Sequence, residues 1–254
     1  MYEDWLINYL SKYNHIASGL EGCSKPKQVR ALMNITMPDS LSDEFYQKQD
    51  AFLRSELKKK EIVDASAFPY ANGIALYQGD ITAIRADAIV NACNPQLLGC
   101  FVMLHGCIDN AIHSAAGLEV RRDLEKVMES QGHEEPNGQV KVTKGYNLPA
   151  SYIFHTVGPI ANGHPSHQDE KDLASCYLSC LKKADEMGLS TIVFCSLSTG
   201  VYGYPIEEAS KIAISTVAGY LQESKSSLKV AFDVFSERDY QIYERQLSSN
   251  QRNP

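Results

Sequence analysis

The sequence lacks the long apolar segment that a membrane-spanning helix requires. Such a helix needs about 18 or more consecutive apolar residues, and the 254-residue chain, although 44% hydrophobic, contains no such run. The opening residues MYEDWLINYL carry acidic side chains and no small-residue cleavage site, so we expect no signal peptide. We therefore expect a soluble globular protein that is located in the cytoplasm and has no membrane partner.

Clusters of basic residues are also scarce. The chain has 24 Lys and Arg residues against 31 Asp and Glu residues, a formal net charge of −7, and its densest basic run is LKKK at 57–60. Nucleic-acid affinity depends largely on Lys and Arg that neutralise phosphates, so we expect no DNA or RNA partner. The lysine run is most simply a solvated helix end. Any phosphate ligand would therefore be bound mainly by backbone N–H groups.

The seven cysteines form no paired framework. Their number is odd and their spacing irregular, which in a cytoplasmic chain favours free thiols or metal ligands over disulfides. Cys176 and Cys180 lie four residues apart on a predicted helix with no other ligand-like residue beside them. We interpret that pair as helix-packing residues.

The sequence pattern changes near residue 70, and no internal repeat or low-complexity segment is present. DWLINYLSKY (4–13) has apolar residues at helical spacing, and SDEFYQKQDAFLRSELKKK (42–60) opens with a Ser/Asp cap and ends in lysines. MPDS (37–40) predicts a turn between them. We therefore predict a helical extension over residues 1–70 and a larger domain over residues 71–254.

From residue 73 onward, short apolar runs alternate with helical patterns. The predicted strands are GIALYQGDI (73–81), DAIVNA (87–92), QVKVT (139–143), YIFHTV (152–157), TIVFCSL (191–197) and LKVAFDVF (228–235). The predicted helices are roughly 108–130, 171–187, 206–223 and 238–248. Runs such as TIVFCSL are apolar on both faces, as in a sheet covered by helices on each side. This alternation predicts a three-layer α/β/α sandwich, with ligands on the loops that follow the strands.

Two of those loops carry candidate binding residues. Asn91 and Asn94 lie at the end of the strand DAIVNA, where an amide can donate and accept hydrogen bonds, although loop asparagines are usually turn formers. The loop SLSTGVYGYP (196–205) would let backbone N–H groups face an anionic ligand, the alternative being a plain glycine turn. It matches neither a Walker loop nor a dinucleotide-binding glycine motif.

The stretch GCFVMLHGCIDNAIH (99–113) places Cys100, His105 and Cys107 within eight residues. Cysteine and histidine are the usual zinc ligands, and three protein ligands with an open fourth position are typical of a catalytic metal. His113 is the nearest candidate for a fourth ligand, but it falls on the predicted helix. The alternative interpretation is a buried turn that happens to be rich in cysteine.

Several motifs, taken together, resemble the macrodomain, an ADP-ribose-binding module. They are YQGDIT (77–82), DAIVNACN (87–94), YIFHTVGP (152–159), STGVYGYP (198–205) and FDVFSERDY (232–240). The resemblance covers roughly residues 70–248. It implies that the sandwich has a mixed central sheet.

The resemblance also implies a role for each matching residue. Asp80 would accept a hydrogen bond from the adenine amino group beside the Ile81 backbone, and Phe235 would lie against the adenine. Asn91 and Asn94 would line the side nearer the distal ribose. The phosphates would lie on the backbone of Ser198, Thr199, Gly200, Val201 and Tyr202. Taken singly, Asp80 is equally explained as a turn or cap residue and Phe235 as a core residue.

The stretch 99–113 resembles the signature loop of the zinc-dependent macrodomains, a branch of the MacroD-type protein-ADP-ribose hydrolases that also carries a helical N-terminal extension. The resemblance implies that Cys100, His105 and Cys107 bind Zn2+. That branch commonly has a proline where this chain has Met103. We therefore expect altered loop stiffness without loss of the metal.

By the same resemblance, we expect a zinc-assisted hydrolase that removes mono-ADP-ribose from acidic side chains of modified proteins. Asp109 would position or deprotonate the attacking water and Asn94 would orient the ribose, although Asp109 is also suited to capping the next helix. The implied partners are a sirtuin-type ADP-ribosyltransferase and the lipoyl-carrier-like protein that it modifies. The alternatives are a non-catalytic ADP-ribose reader with structural zinc and a deacetylase of O-acetyl-ADP-ribose.

Overall fold

A six-stranded sheet lies at the centre of the protein in the computed structural model, which describes residues 2–16 and 19–250. The strands are β1 (Val63–Asp64), β2 (Ile74–Gln78), β3 (Ile84–Arg85), β4 (Ala88–Ala92), β5 (Val140–Lys144), β6 (Tyr152–Thr156), β7 (Thr191–Phe194) and β8 (Lys229–Val234). The sheet has the order β2-β8-β7-β4-β6-β5, and β1 and β3 form a separate parallel pair. Each of the six predicted strands corresponds to one strand of the central sheet.

The central sheet is mixed. Strands β2, β8, β7, β4 and β6 are parallel, and the edge strand β5 runs antiparallel to β6. Val90 of β4 pairs with Phe154 of β6 and Phe194 of β7, and all three side chains are fully buried. Strands buried on both faces need helices on both sides. The predicted three-layer α/β/α sandwich with a mixed central sheet is confirmed.

Helices flank the sheet in two groups. The described residues form α1 (Tyr2–Tyr13), α2 (Lys25–Ile35), α3 (Asp43–Leu57), α4 (Ile108–Ala116), α5 (Leu118–Gln131), α6 (His167–Glu186), α7 (Ile206–Ser224) and α8 (Glu237–Asn250). The first five pack in a chain of contacts, as do α6, α7 and α8. Cys176 and Cys180 are fully buried in α6, in agreement with a packing role. Among the described residues, no helix has both the length and the apolar character needed to cross a membrane.

The predicted helix over 108–130 is interrupted at Gly117. Gly117 has a φ of 110°, a backbone conformation that favours glycine. The interruption leaves the Leu118 N–H at a helix start, and Oε1 of Gln49 on α3 accepts its hydrogen bond at 2.8 Å. A Cβ at position 117 would lie 2.7 Å from Nε2 of Gln49. The close approach of α3 therefore also requires glycine here.

The N-terminal helices share a second buried core with the start of α5. Its members are Leu6, Leu10, Val29, Leu32, Met33, Phe45, Phe52, Leu53 and Leu118. Helix α2 was not predicted, and the helix predicted over 42–60 ends three residues earlier, at Leu57. The helical extension thus packs directly on α4 and α5, while the boundary between 1–70 and 71–254 stays a prediction.

Arg121 of α5 joins this extension to the rest of the protein. Only 1% of its surface is exposed. Its guanidinium donates to the carbonyl oxygens of Leu98 at 2.6 Å, Met33 at 3.1 Å and Thr36, and it lies 4.3 Å from the ring centre of Phe101. Met33 and Thr36 lie at the C-terminal end of α2, where the helix dipole favours a cation. Burial lowers the pKa of Arg121 to about 10, so the group stays charged at neutral pH.

Replacing Arg121 should therefore destabilise the protein far more than replacing its neighbour Arg122. In Arg121→Ala, buried carbonyl groups lose their charged donor. Each buried carbonyl left without a hydrogen bond costs about 1–3 kcal/mol, so the free energy of unfolding should fall by about 3 kcal/mol or more. Arg122→Ala removes a half-exposed ion pair with Asp123, which is worth about 0–1 kcal/mol. Chemical denaturation measures both variants, and equal losses would contradict the role of Arg121.

Candidate active site

The strand order arranges the predicted site residues along one edge of the sheet. The carboxyl ends of the parallel strands β2, β8, β7 and β4 lie side by side in that order. Asp80 follows β2, Phe235 follows β8, the loop 196–205 follows β7, and Asn91 and Asn94 lie at the end of β4. The structure thus brings together residues that are spread over more than 150 positions of the chain.

Asp80 begins a short 3-10 turn, Ile81–Ala83, in which Ile81 is buried. Its carboxylate accepts hydrogen bonds from the N–H of Thr82 at 3.0 Å and from its hydroxyl at 2.6 Å, and Nζ of Lys60 lies 2.7 Å away. Partial burial opposes ionisation, but Lys60 and Thr82 outweigh it and lower the pKa of Asp80. Asp80 is therefore a cap residue, as the alternative proposed, and its contact with adenine stays a prediction.

Phe235 lies directly after β8 with 88% of its surface exposed, so the alternative that it is a core residue is wrong. The Gly79 N–H donates to the carbonyl of Val234 at 3.2 Å, which places the ends of β2 and β8 next to each other. Asp80 and Phe235 consequently share one end of the site. An exposed aromatic ring can stack on a nucleic-acid base, and a nearby carboxylate can accept from its amino group.

The loop after β7 turns back on itself. Ser198 has a left-handed φ of 62°, its carbonyl accepts from the Tyr204 N–H at 3.0 Å, and that of Gly200 accepts from the Gly203 N–H at 3.0 Å. By contrast, the N–H groups of residues 199–202 donate to no other group within the described residues. Val201 is 74% exposed. Successive free N–H groups of this kind can bind the oxygens of a phosphate.

Asn91 and Asp109 are in direct contact at the next position along the edge. Nδ2 of Asn91, which is fully buried on β4, donates to Oδ1 of Asp109 at 2.8 Å. Asp109 lies in the first turn of α4 with 5% of its surface exposed. Burial raises the pKa of Asp109 to about 6, against the opposing effects of the Asn91 hydrogen bond and the Arg121 charge. A carboxyl with such a pKa can accept or release a proton near neutral pH.

Asn94 connects β4 to the start of the Cys/His loop, residues 99–107. Its Nδ2 donates to the carbonyl of Gly99 at 3.0 Å. Its Oδ1 is buried and has no hydrogen-bond partner within the described residues. Gly99 has a φ of 85°, and a Cβ there would lie 2.9 Å from Nδ1 of His113. The loop therefore begins at a position where only glycine fits.

Cys100, His105 and Cys107 converge within the Cys/His loop. Their ligand atoms all lie within 4.8 Å of one another, the only group of this kind in residues 2–16 and 19–250. Sγ of Cys100 lies 3.6 Å from Nδ1 of His105. A thiolate and an imidazole bound to one tetrahedral zinc ion would be separated by about 3.6 Å. The three donors thus fit a zinc ion with one position left for another ligand.

Cys107 also caps the N-terminus of α4, since its Sγ accepts from the Asn110 N–H at 3.4 Å. The alternative that Asp109 is the cap is wrong, because Asp109 is already the second residue of the helix. Burial raises the pKa of the Cys107 thiol to about 11, and the nearby Cys100 and Asp109 raise it further. The hydrogen bond from the Asn110 N–H lowers this pKa, but by less. A bound cation would reverse this and favour the thiolate.

His113 does not join the group of metal donors in the described residues. Its Nε2 lies 3.4 Å from Oδ1 of Asp109, and both ring nitrogens are buried without a hydrogen-bond partner among the described residues. Burial lowers the pKa of His113 well below its usual range, so the ring is neutral. The structure therefore leaves three protein donors for a metal.

Other residues at the site were not predicted from the sequence. Nδ1 of His155, on β6, lies 3.3 Å from Nδ2 of Asn91, and Nε2 of the same ring lies 2.9 Å from the hydroxyl oxygen of Thr143. Burial lowers the pKa of His155 to about 3. Arg30 and Asn34 of α2 contact the Cys/His loop. Arg30 and Asn34 lie in no motif, and the motif YIFHTVGP contains His155 without assigning it a role. Each of the three contacts residues that are at least 60 positions away or on another strand.

Comparison with known proteins agrees with this arrangement. A family model described as Macro domain matches residues 90–213. The Protein-ADP-ribose hydrolase of Staphylococcus aureus (strain MRSA252) is 47% identical over 217 residues, which is 84% of this chain and 81% of that protein. The Protein-ADP-ribose hydrolase of Treponema medium is 38% identical over 253 residues, 96% of this chain and 97% of that protein.

A solved structure shows the same fold. The Trypanosoma brucei macrodomain in complex with ADP-ribose matches with a TM-score of 0.66 and 33% identity, over 84% of this chain and 93% of that one. The two hydrolases match over most of both chains at well above 30% identity. The sheet order, the site along its edge and these relatives lead to one conclusion: the chain belongs to the macrodomain family.

Proposed function

We propose that the protein is a hydrolase that removes mono-ADP-ribose from a side chain of a modified protein, with zinc bound by Cys100, His105 and Cys107. The observation that carries the proposal is the convergence of these three donors close to the Asn91–Asp109 pair. A module that only binds ADP-ribose needs neither a carboxyl with a raised pKa nor a metal with an open position. The names of the Staphylococcus aureus and Treponema medium relatives support the same activity.

The order of the site residues fits the order of the parts of ADP-ribose. Adenine lies at one end of this molecule, the diphosphate in the middle and the distal ribose at the other end. Along the sheet edge, Asp80 and Phe235 come first, the free N–H groups of 199–202 next, and Asn91 and Asn94 last. In this arrangement the bond to the modified side chain lies at the end where the Cys/His loop and Asp109 are found.

Bound zinc would supply Lewis-acid stabilisation of developing negative charge and would lower the pKa of an oxygen ligand. The protein's own residues do the rest. Asp109 accepts the proton of the attacking water, and Asn91 fixes the carboxylate that does so. The buried Oδ1 of Asn94 accepts from a ribose hydroxyl and orients the sugar. Water gives its oxygen to the released ADP-ribose, and an acidic acceptor leaves as its carboxylate.

The identity of the modified protein is part of the proposal and rests on the family resemblance alone. It implies an acidic acceptor side chain, a lipoyl-carrier-like protein as substrate and a sirtuin-type ADP-ribosyltransferase as the enzyme that modifies it. A cytoplasmic location belongs to the same proposal. The row of residues along the sheet edge supports ADP-ribose as the bound group.

The proposal is tested by the release of free ADP-ribose from a mono-ADP-ribosylated protein, before and after zinc removal. Release should disappear when a chelator strips the zinc and return when zinc is restored. Cys107→Ser should lower release by about 100-fold, because serine caps a helix well but is a poor zinc ligand. Cys23→Ser, at a half-buried cysteine outside the Cys/His loop, is the control and should keep full activity. Binding of ADP-ribose without release in any sample would identify a reader instead.

A second test separates Asp109 from the metal. In Asp109→Asn the amide can still accept the Asn91 hydrogen bond but cannot take a proton, so release should fall by about 10²- to 10⁴-fold. Zinc content and the Kd for ADP-ribose should stay the same. Asp123→Asn, at an acidic residue of α5 paired with Arg122, is the control. If Asp109→Asn retained the activity of the unsubstituted protein, a proton-accepting role for Asp109 would be wrong.

A further inference from the structure

We propose that helix α2 of the N-terminal extension positions the Cys/His loop, with Arg30 and Asn34 as positioning residues for the metal donors. The inference rests on the proposed function in one respect, namely that the loop binds zinc. The sequence predicted only that residues 1–70 form a helical extension. The structure instead shows polar contacts from one face of α2 to the loop that carries Cys100, His105 and Cys107.

Arg30 contacts the loop both directly and through Asn110. Its Nη2 donates to the carbonyl of His105 at 3.2 Å, so it holds the backbone of a metal donor. The same guanidinium donates to Oδ1 of Asn110 from Nη2 at 2.7 Å and from Nε at 3.2 Å. A planar group with several donors in fixed positions is suited to such a double contact, and a lysine is not.

Asn110 connects Arg30 to the first half of the Cys/His loop. Because its Oδ1 faces Arg30, its Nδ2 faces the loop and donates to the carbonyl of Val102 at 3.0 Å and towards that of Cys100 at 3.5 Å. The Asn110 N–H donates to Sγ of Cys107. Between them, Arg30 and Asn110 thus contact the backbone of His105, the side chain of Cys107 and the backbone at Cys100 and Val102.

Asn34 holds a strained point of the loop. Leu104 has a φ of 55°, a left-handed conformation that costs a leucine about 1–2 kcal/mol. Oδ1 of Asn34 accepts from the Leu104 N–H at 2.9 Å, and Nδ2 of Asn34 donates to the hydroxyl of Ser114 at 2.9 Å. Asn34 is 2% exposed and lies four residues after Arg30, so the two side chains share one face of α2.

The loop itself contributes little packing that could hold the donors in place. Phe101, Val102 and Met103 are 41%, 59% and 36% exposed, and residues 99–107 form no helix or strand. A metal site binds tightly when its donors are already arranged before the metal arrives. In this protein the contacts from α2 supply that arrangement.

The test uses Arg30→Ala and Asn34→Ala in the full chain, with Lys25→Ala as the control, since Lys25 is an exposed residue of the same helix that pairs with Asp4. Competition with a chromophoric chelator gives the zinc Kd, which should rise by about 10- to 100-fold in the two variants and stay unchanged in the control. The Kd for ADP-ribose should change by less than about twofold in all of them. The side-chain hydrogen bonds of Arg30 and Asn34 go to the Cys/His loop and α4, whereas the adenine and phosphates are predicted at the ends of β2, β8 and β7.

A second readout needs no zinc. In the metal-free protein, hydrogen exchange of the Leu104 amide should be about fivefold or more faster in Asn34→Ala, because the hydrogen bond to Asn34 is lost. If the unsubstituted protein bound no zinc, the proposed function would fail, while this exchange measurement would still decide the positioning role.

Arg30→Lys keeps the charge and is used in case Arg30→Ala fails to fold. It should show the same rise in zinc Kd at unchanged thermal stability, since a lysine cannot reproduce both contacts of the guanidinium. The proposal would be overturned by two results together. Arg30→Lys and Asn34→Ala would have the same zinc Kd as the unsubstituted protein, and the exchange rate of the Leu104 amide would be unchanged in Asn34→Ala.

Discussion

The buried charge of Arg121 constrains much of what surrounds the site. A guanidinium in the interior is stable only where hydrogen-bond acceptors or opposite charges face it, and the C-terminal end of α2 supplies two carbonyl groups, those of Met33 and Thr36. This fixes α2 against α5. Because Leu98 supplies the third carbonyl, it also fixes the chain just before the Cys/His loop. The N-terminal extension is thus part of the framework of the site as well as a cover for apolar surface.

The second constraint is the order of the parallel strands. Ligand-binding loops lie at the carboxyl ends of such strands. Because the strand order is β2-β8-β7-β4, motifs that are far apart in the sequence lie next to one another along this edge. Adjacent strands place Asp80 beside Phe235 and the free N–H groups of 199–202 between them and Asn94. An elongated ligand with an aromatic base at one end and a sugar at the other fits this row. In the proposed mechanism the reacting groups lie at the far end, where Cys107 caps α4 and Asp109 lies in its first turn.

The features that the sequence predicted are those encoded over short distances. The six strands follow from apolar runs, and the convergence of Cys100, His105 and Cys107 follows from their closeness within one loop. What it could not predict depends on contacts across the fold. At the Gly117 interruption, Gln49 of α3 accepts from the Leu118 N–H. At the start of α4, Cys107 is the cap, and Asp109 accepts a hydrogen bond from Asn91 on β4. The burial of His155 and the contacts of Arg30 likewise involve partners that no local pattern identifies.

The measurement that tests the central claim most directly is X-ray absorption at the zinc edge of the zinc-loaded protein. The structure predicts two sulfur atoms at about 2.3 Å, one imidazole nitrogen at about 2.0 Å and one further oxygen or nitrogen that is not supplied by the protein. Addition of ADP-ribose should change only that last ligand. A zinc ion with four protein ligands, or a chain that takes up no zinc at all, would contradict an open metal site in the Cys/His loop.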